Sequence, residues 1–96
     1  MGSRQNRAPS LSGTYFADHF NLTTHVEDYL IGNVVSGGGV DSFDGDYISS
    51  SAITMADYAN LPKYSVIRDH QAHKTYYKTG AAGVDQWYYD AWTIVS

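Results

Sequence analysis

The stretch spanning residues 60–96, NLPKYSVIRDHQAHKTYYKTGAAGVDQWYYDAWTIVS, constrains this chain more than any other. Its runs 64–69, 74–79 and 86–95 are rich in Val, Ile, Thr, Tyr and Trp. These side chains fit a pleated, half-buried surface. Between the runs lie DHQAH and TGAAGVD, polar or Gly-rich breaks of hairpin type. The pattern predicts a three-stranded meander whose chemistry is that of a packing or interaction surface.

The remaining residues must complete a small domain. A 96-residue chain buries only about 60–65% of the surface its unfolded form exposes, so the core is modest. There is no cysteine, hence no disulfide or thiolate metal site to reinforce it. That composition suits a reducing compartment or a protein stabilised by oligomerisation. No run approaches the ~18 apolar residues that span a membrane. The opening MGSRQNRAPSLSG lacks the apolar core of a secretory signal.

Charge is distributed unevenly along the chain, whose net charge is −4. Residues 1–12 carry Arg4 and Arg7 and no acid. Residues 13–50 carry Asp18, Glu27, Asp28, Asp41, Asp44 and Asp46 and no Lys or Arg. Residues 51–96 are balanced. Two arginines are few, so this is either chance or a basic arm that docks on an acidic neighbour. Residues 1–12 lack periodicity and read as a disordered or extended arm, with MGS a possible cloning scar. Residues 13–96 read as a single β-rich domain.

Within that domain TYFADHF and DYLIGNVV are apolar enough to be strands, with Gly32 a bulge or bend. Residues 26–35 fit either one bent strand or a tight hairpin around Gly32-Asn33. SGGGVDSFDGD, residues 36–46, reads as a flexible loop, and residues 47–53 as a short strand. Residues 54–60 read as a short helical turn with Thr54 as N-cap and Asp57 at capping-box spacing, stopped by Pro62. The fold class is therefore mostly β. It is a small barrel or sandwich of five to seven short strands, with one helical turn near residues 54–60 and an N-terminal arm. Strand alternation sets Trp87 and Tyr89 on one face of the last strand and Tyr88, Trp92 and Ile94 on the other. Trp87 is expected in the core and Trp92 against a partner or under a loop.

The candidate chemical motifs are sparse. DSFDGD clusters carboxylates as a calcium loop does, but its spacing departs from an EF-hand and the distal Glu is missing, so no metal site is assigned. His70 and His73 flank a predicted turn beside Arg68 and Asp69, with His19 and His25 unplaced, and read as polar turn residues. A Gly-rich phosphate loop, a nucleophile elbow and HExxH are all missing from the sequence, so no catalytic residue and no cofactor is assigned. Lys74, Tyr76, Tyr77 and Lys78 interleave bases with aromatics, yet the acidic balance argues against nucleic acid. Exposed Tyr and Trp equally suit sugar rings or a protein interface.

Residues 57–87 carry a further pattern. A helical turn, Leu61-Pro62, the strand Ser65-Val66-Ile67-Arg68-Asp69, a hairpin, Tyr77-Lys78-Thr79 and then Trp87 resemble small β-rich proteins of actinobacterial tailed phages. Those proteins usually have Gly after the Leu-Pro and a Gly-Asp or Asp-Gly hairpin, where this chain has Lys63-Tyr64 and His70-Gln71-Ala72. The resemblance implies a non-enzymatic virion protein, made in the host cytoplasm, most simply a capsid decoration protein. Its partners would be capsid or other virion proteins, with self-association in the assembled state. Arg4, Arg7, Tyr76, Tyr88 and Trp92 are the candidate partner-binding residues. The alternatives are a small β domain that binds saccharide or another host surface ligand, and a phage-encoded inhibitor of a host protein.

Overall fold

Two glycines at the tip of a hairpin set the architecture. A computed structural model describes residues 13–22 and 29–93 of the chain. Gly38 and Gly39 have φ of 58° and 79° and form the two-residue loop between strands β1, Leu30–Gly37, and β2, Val40–Tyr47. Positive φ at both loop residues is the turn whose twist matches a hairpin, and glycine adopts it without steric cost. Pairing is regular from Leu30↔Tyr47 to Gly37↔Val40. So SGGGVDSFDGD is a hairpin turn and a strand rather than a flexible loop. Residues 30–37 form one strand without a bulge at Gly32 or a turn at Gly32-Asn33.

Gly32 and Gly45 face each other in this register. A Cβ on Gly32 would lie 2.6 Å from Phe43 Cζ, and one on Gly45 would run into the same ring. The Phe43 ring thus lies across two facing glycines and is 1% exposed. An aromatic ring laid over bare strand backbone compensates for the side chains that glycine lacks.

The expected meander is present. Strands β3, Val66–Asp69, β4, Lys74–Lys78, and β5, Trp87–Ala91, pair antiparallel in succession. The last strand is shorter than expected, because Trp92 turns its N–H to the carbonyl of His73 at 2.7 Å. β2 pairs with β3 in parallel, Asp44↔Val66 through Tyr47↔Asp69. The result is an open five-stranded mixed sheet in the order β1-β2-β3-β4-β5. The domain is mostly β, as expected, and the sheet does not close into a barrel.

The crossover from β2 to β3 runs through residues 48–65. Residues 47–53 form no strand of their own, because β2 ends at Tyr47. The expected helical turn is the 3-10 helix Met55–Tyr58. Thr54 holds the N-cap position in extended conformation, but no side-chain cap bond forms. Backbone bonds close the turn instead, from Asp57 N–H to the Thr54 carbonyl at 3.1 Å and from Leu61 N–H to the Tyr58 carbonyl at 3.0 Å.

TYFADHF is helical, not extended. Helix α1, Gly13–Phe20, ends on Asn21 at φ 57°. Leu22 N–H bonds to the Ala17 carbonyl at 2.8 Å and Asn21 N–H to the Asp18 carbonyl at 3.4 Å. This double bond pattern with a left-handed residue is a Schellman C-cap, for which Asn is a regular substitute for Gly. Phe20 enters the core beside Leu30, Phe43, Tyr47, Ile53, Tyr58, Leu61 and Ile67, and Leu22 packs against it. The core therefore fills one face of the sheet, under α1 and the crossover. The proposed arm at residues 1–12, with Arg4 and Arg7, lies outside the described residues.

Candidate functional site

Strand alternation leaves the second face of the sheet to present side chains of opposite character. Across it the register aligns Asn33, Asp44, Val66, Tyr77 and Tyr88 in one row, and Ile31, Asp46, Arg68, Thr75 and Asp90 in the next. Ile31, Val35, Tyr77 and Tyr88 are exposed large apolar groups on this face. Among the described residues no secondary-structure element packs over it.

A charge network occupies the middle. Arg68 reaches across the parallel junction and donates from Nε to Asp46 Oδ1 at 2.8 Å and from NH2 to Asp44 Oδ1 at 2.9 Å. A second NH2 bond to Asp46 Oδ2 at 3.3 Å makes the Asp46 contact bidentate. His70 Nε2 lies 2.8 Å from Asp46 Oδ1. The Arg68 guanidinium holds the Asp46 carboxyl below its ordinary range, with a smaller contribution from His70. Reciprocally, Asp46 and Asp44 push the Arg68 pKa up. The network is half-exposed, so it fixes geometry more than it adds stability.

Aromatic groups border this network. The Tyr77 and Tyr88 rings sit 6.0 Å apart across β4 and β5, tilted by 32°. Tyr88 Oη donates to Asp90 Oδ1 at 2.8 Å, and that bond raises its pKa. Trp92 donates from Nε1 to Thr75 Oγ1 at 2.7 Å and meets the His70 and His73 rings at 4.9 and 5.8 Å. The face thus presents a fixed arginine–carboxylate centre with a flat pair of phenols on one side and apolar Ile31 and Val35 on the other.

Three buried polar side chains hold this surface from beneath. Asp69 is wholly buried and accepts from the backbone N–H of Ile53 at 3.0 Å, Gln71 at 2.9 Å and Ala72 at 3.3 Å. It ties the crossover to the turn that carries His70 and His73. Ser65 Oγ accepts from Phe43 N–H at 3.1 Å and extends the β2–β3 junction. Lys78 is 2% exposed, and its ammonium donates to the carbonyls of Leu61, Gly80 and Ala81 at 2.8, 3.0 and 2.9 Å. An ammonium has three donors, so all of them are used here. Burial nevertheless pushes its pKa down, opposed by the charge of Asp85.

The sequence-derived site residues separate on this geometry. Tyr88 and Trp92 share the open face. Tyr76 projects to the opposite face, where its ring meets Trp87 at 6.4 Å and Tyr89 at 5.7 Å and packs against the core. Trp87 and Trp92 lie on opposite faces, as alternation requires, and both are half-buried. Trp87 therefore borders the core rather than filling it. Asp41 faces the core side and contacts His19 Nε2 at 3.1 Å, while Asp44 and Asp46 face outward to Arg68. Strand geometry thus parts the three carboxylates of DSFDGD. The sequence reading placed Tyr77 among residues suited to stacking but not among the partner-binding residues, and it missed the Asp44–Arg68–Asp46 clamp. The signal for the clamp was the i, i+2 spacing of Asp44 and Asp46, which in a strand places both on one face.

No protein-family model, curated protein or solved structure matches this chain.

Proposed function

We propose that this protein is a non-enzymatic structural component of a phage virion, a small capsid decoration protein that works through protein–protein contacts. The observation that carries the reading is the uncovered sheet face, where exposed Ile31, Val35, Tyr77 and Tyr88 surround an ordered arginine–carboxylate network. Aromatic and arginine side chains on a rigid support are the groups that dominate protein interfaces. Decoration proteins act at many symmetric sites, so a modest contact per copy is multiplied on a lattice. The resemblance of residues 57–87 to small actinobacterial phage proteins supports the same reading.

The Tyr77–Tyr88 pair beside Asp90 also favours a second reading, a saccharide stacked on the phenols and held by the carboxylate. The two part in one experiment. Quantitative mass spectrometry of purified particles from the encoding phage should find the protein in tens to hundreds of copies per particle, as repetition at symmetric sites requires. Tyr88→Ala should lower that number without lowering the melting temperature. A protein missing from particles but retained on a glycan array through Tyr77 and Tyr88 would replace the virion reading with the saccharide one.

A further inference from the structure

We propose that β1 is a self-pairing edge, joining the β1 of a second copy about a two-fold axis through Asn33 to make one continuous ten-stranded sheet. β1 is the outermost strand on its side, and no described residue lies in the sheet beyond it. Its sequence, LIGNVVSG, holds no charged residue and no proline, and its register holds no bulge. Open edges are ordinarily blunted by those devices, because unpaired N–H and C=O groups recruit another strand. The opposite edge, β5, is shorter and carries Asp90.

The hydrogen-bond phase of the hairpin fixes which groups are offered. Ile48, just after β2, donates its N–H to the carbonyl of Tyr29, just before β1, at 2.8 Å. Antiparallel ladders alternate bonded and non-bonded pairs. Ile31, Asn33 and Val35 therefore bond inward to β2, and Leu30, Gly32, Val34 and Ser36 turn their backbone groups outward. Two identical strands can then pair only if outward residues meet outward residues, which places the axis through a residue and not between two.

Side chains choose the residue. Ile31 and Val35 are 48% and 47% exposed on the open face and stand equally far on either side of Asn33. An axis at Asn33 sets Ile31 of each copy against Val35 of the other, Asn33 against Asn33, and Val34 against Gly32. An axis at Gly32 would set Ile31 against Asn33, and one at Val34 would set it against Gly37. Of these central axes, only the one at Asn33 sets both exposed apolar side chains, Ile31 and Val35, against an apolar partner. An uncharged strand also meets its own copy without like-charge repulsion, which is destabilising when directly opposed. A single-strand junction lies at the small end of interface sizes, so the dimer is concentration-dependent in solution.

The test uses the full chain. Sedimentation velocity over rising concentration should show the 10.6 kDa monomer giving way to a species of twice that mass. Asn33→Lys and Asn33→Glu should each abolish the dimer while leaving the circular dichroism unchanged, and mixing the two should restore it. The chain has no cysteine, so single thiols report the register directly. Asn33→Cys should cross-link with itself under mild oxidation, because non-bonded antiparallel pairs bring Cα atoms within disulfide range. Val35→Cys alone should not, whereas Val35→Cys mixed with Ile31→Cys should. A monomer at every concentration overturns the proposal, as does a dimer indifferent to Asn33→Lys or one that cross-links through Val35→Cys alone. The pairing stands apart from the virion reading, since a dimer that forms while particles lack the protein would sink only that reading.

Discussion

Gly45→Ala puts the packing of Phe43 to a direct test. Glycine in a strand interior ordinarily costs roughly 0.5–1 kcal/mol relative to Ala, so a routine strand position would gain stability from this change. Here the added methyl would run into Phe43 Cζ, lie 2.8 Å from Cε2 and lie 2.5 Å from the carbonyl oxygen of Ile31. Two of these contacts are to a ring that is 1% exposed, and the third is to the backbone of the paired strand. Neither neighbour can retreat without opening the core or the ladder. Overpacking of this kind costs about 1–3 kcal/mol if the ring adjusts in place. If the ring is expelled the cost approaches the ~3–5 kcal/mol of losing a buried phenylalanine. A destabilisation of about 3 kcal/mol is therefore expected, against a total of ~5–14 kcal/mol for a chain of this size. Urea melts should show a lower midpoint with an unchanged slope. Phe43→Leu in the same chain should be less harmful in the Gly45→Ala background than in the wild type, the coupling expected of residues in contact. A Gly45→Ala protein as stable as wild type, or strictly additive double-mutant energies, would refute the reasoning.

Other outcomes follow from buried and strained groups. Lys78→Met should cost about 1–3 kcal/mol, because it leaves the buried carbonyls of Leu61 and Gly80 and the part-buried carbonyl of Ala81 without the ammonium that joins them, and a chemical melt measures it. Tyr64→Gly should stabilise by roughly 0.5–1 kcal/mol, read as a higher melting temperature. Tyr64 sits at φ 77° in a turn closed by Ser65 N–H to the Pro62 carbonyl, and a left-handed conformation costs a side-chain-bearing residue about 1–2 kcal/mol. Because Asp46 has a lowered pKa in the folded state, its contribution is present above the ordinary carboxylate range and is lost as pH falls through the folded value. Melts between pH 6 and pH 2 should therefore show a shallower acid loss for Asp46→Asn than for wild type, by less than ~1 kcal/mol given the exposure of the pair.

The second half of the chain was legible because its strands are rich in β-branched and aromatic residues and its turns carry Gly and polar breaks. The helical turn before Pro62 was legible for a similar reason, since proline and a polar cap mark local boundaries. The first half misled where local composition and tertiary context disagree. TYFADHF has strand-like aromatics, yet Asn21 closes it as a helix whose Phe20 faces the core. SGGGVDSFDGD has the composition of a loop, yet two of its glycines make the hairpin tip, and Gly45 makes room for Phe43 from the same strand. Lys78 reads in the sequence as one of two bases interleaved with Tyr76 and Tyr77. Its burial depends on three carbonyls contributed by Leu61 and the 80–81 turn, a convergence that no spacing within TYYKTG announces. The turn after Pro62 illustrates the opposite case. Tyr64 there adopts the left-handed conformation that glycine would supply.

The parallel junction between β2 and β3 divides the molecule by sequence distance. The β1–β2 hairpin and the β3–β4–β5 meander each pair neighbours across short turns, and such contacts form early because little loop entropy opposes them. Asp44↔Val66 and its three companions instead require the whole 48–65 crossover to close. Assembly of the domain is thus the docking of two locally paired halves, with Phe43 N–H on Ser65 Oγ and His70 N–H on the Tyr47 carbonyl among the bonds that form only on docking. The crossover is also where the chain would best tolerate being cut. Fragments ending and beginning near Ser50 would each contain one locally paired unit, and each would need the other to recover the core and a stable sheet.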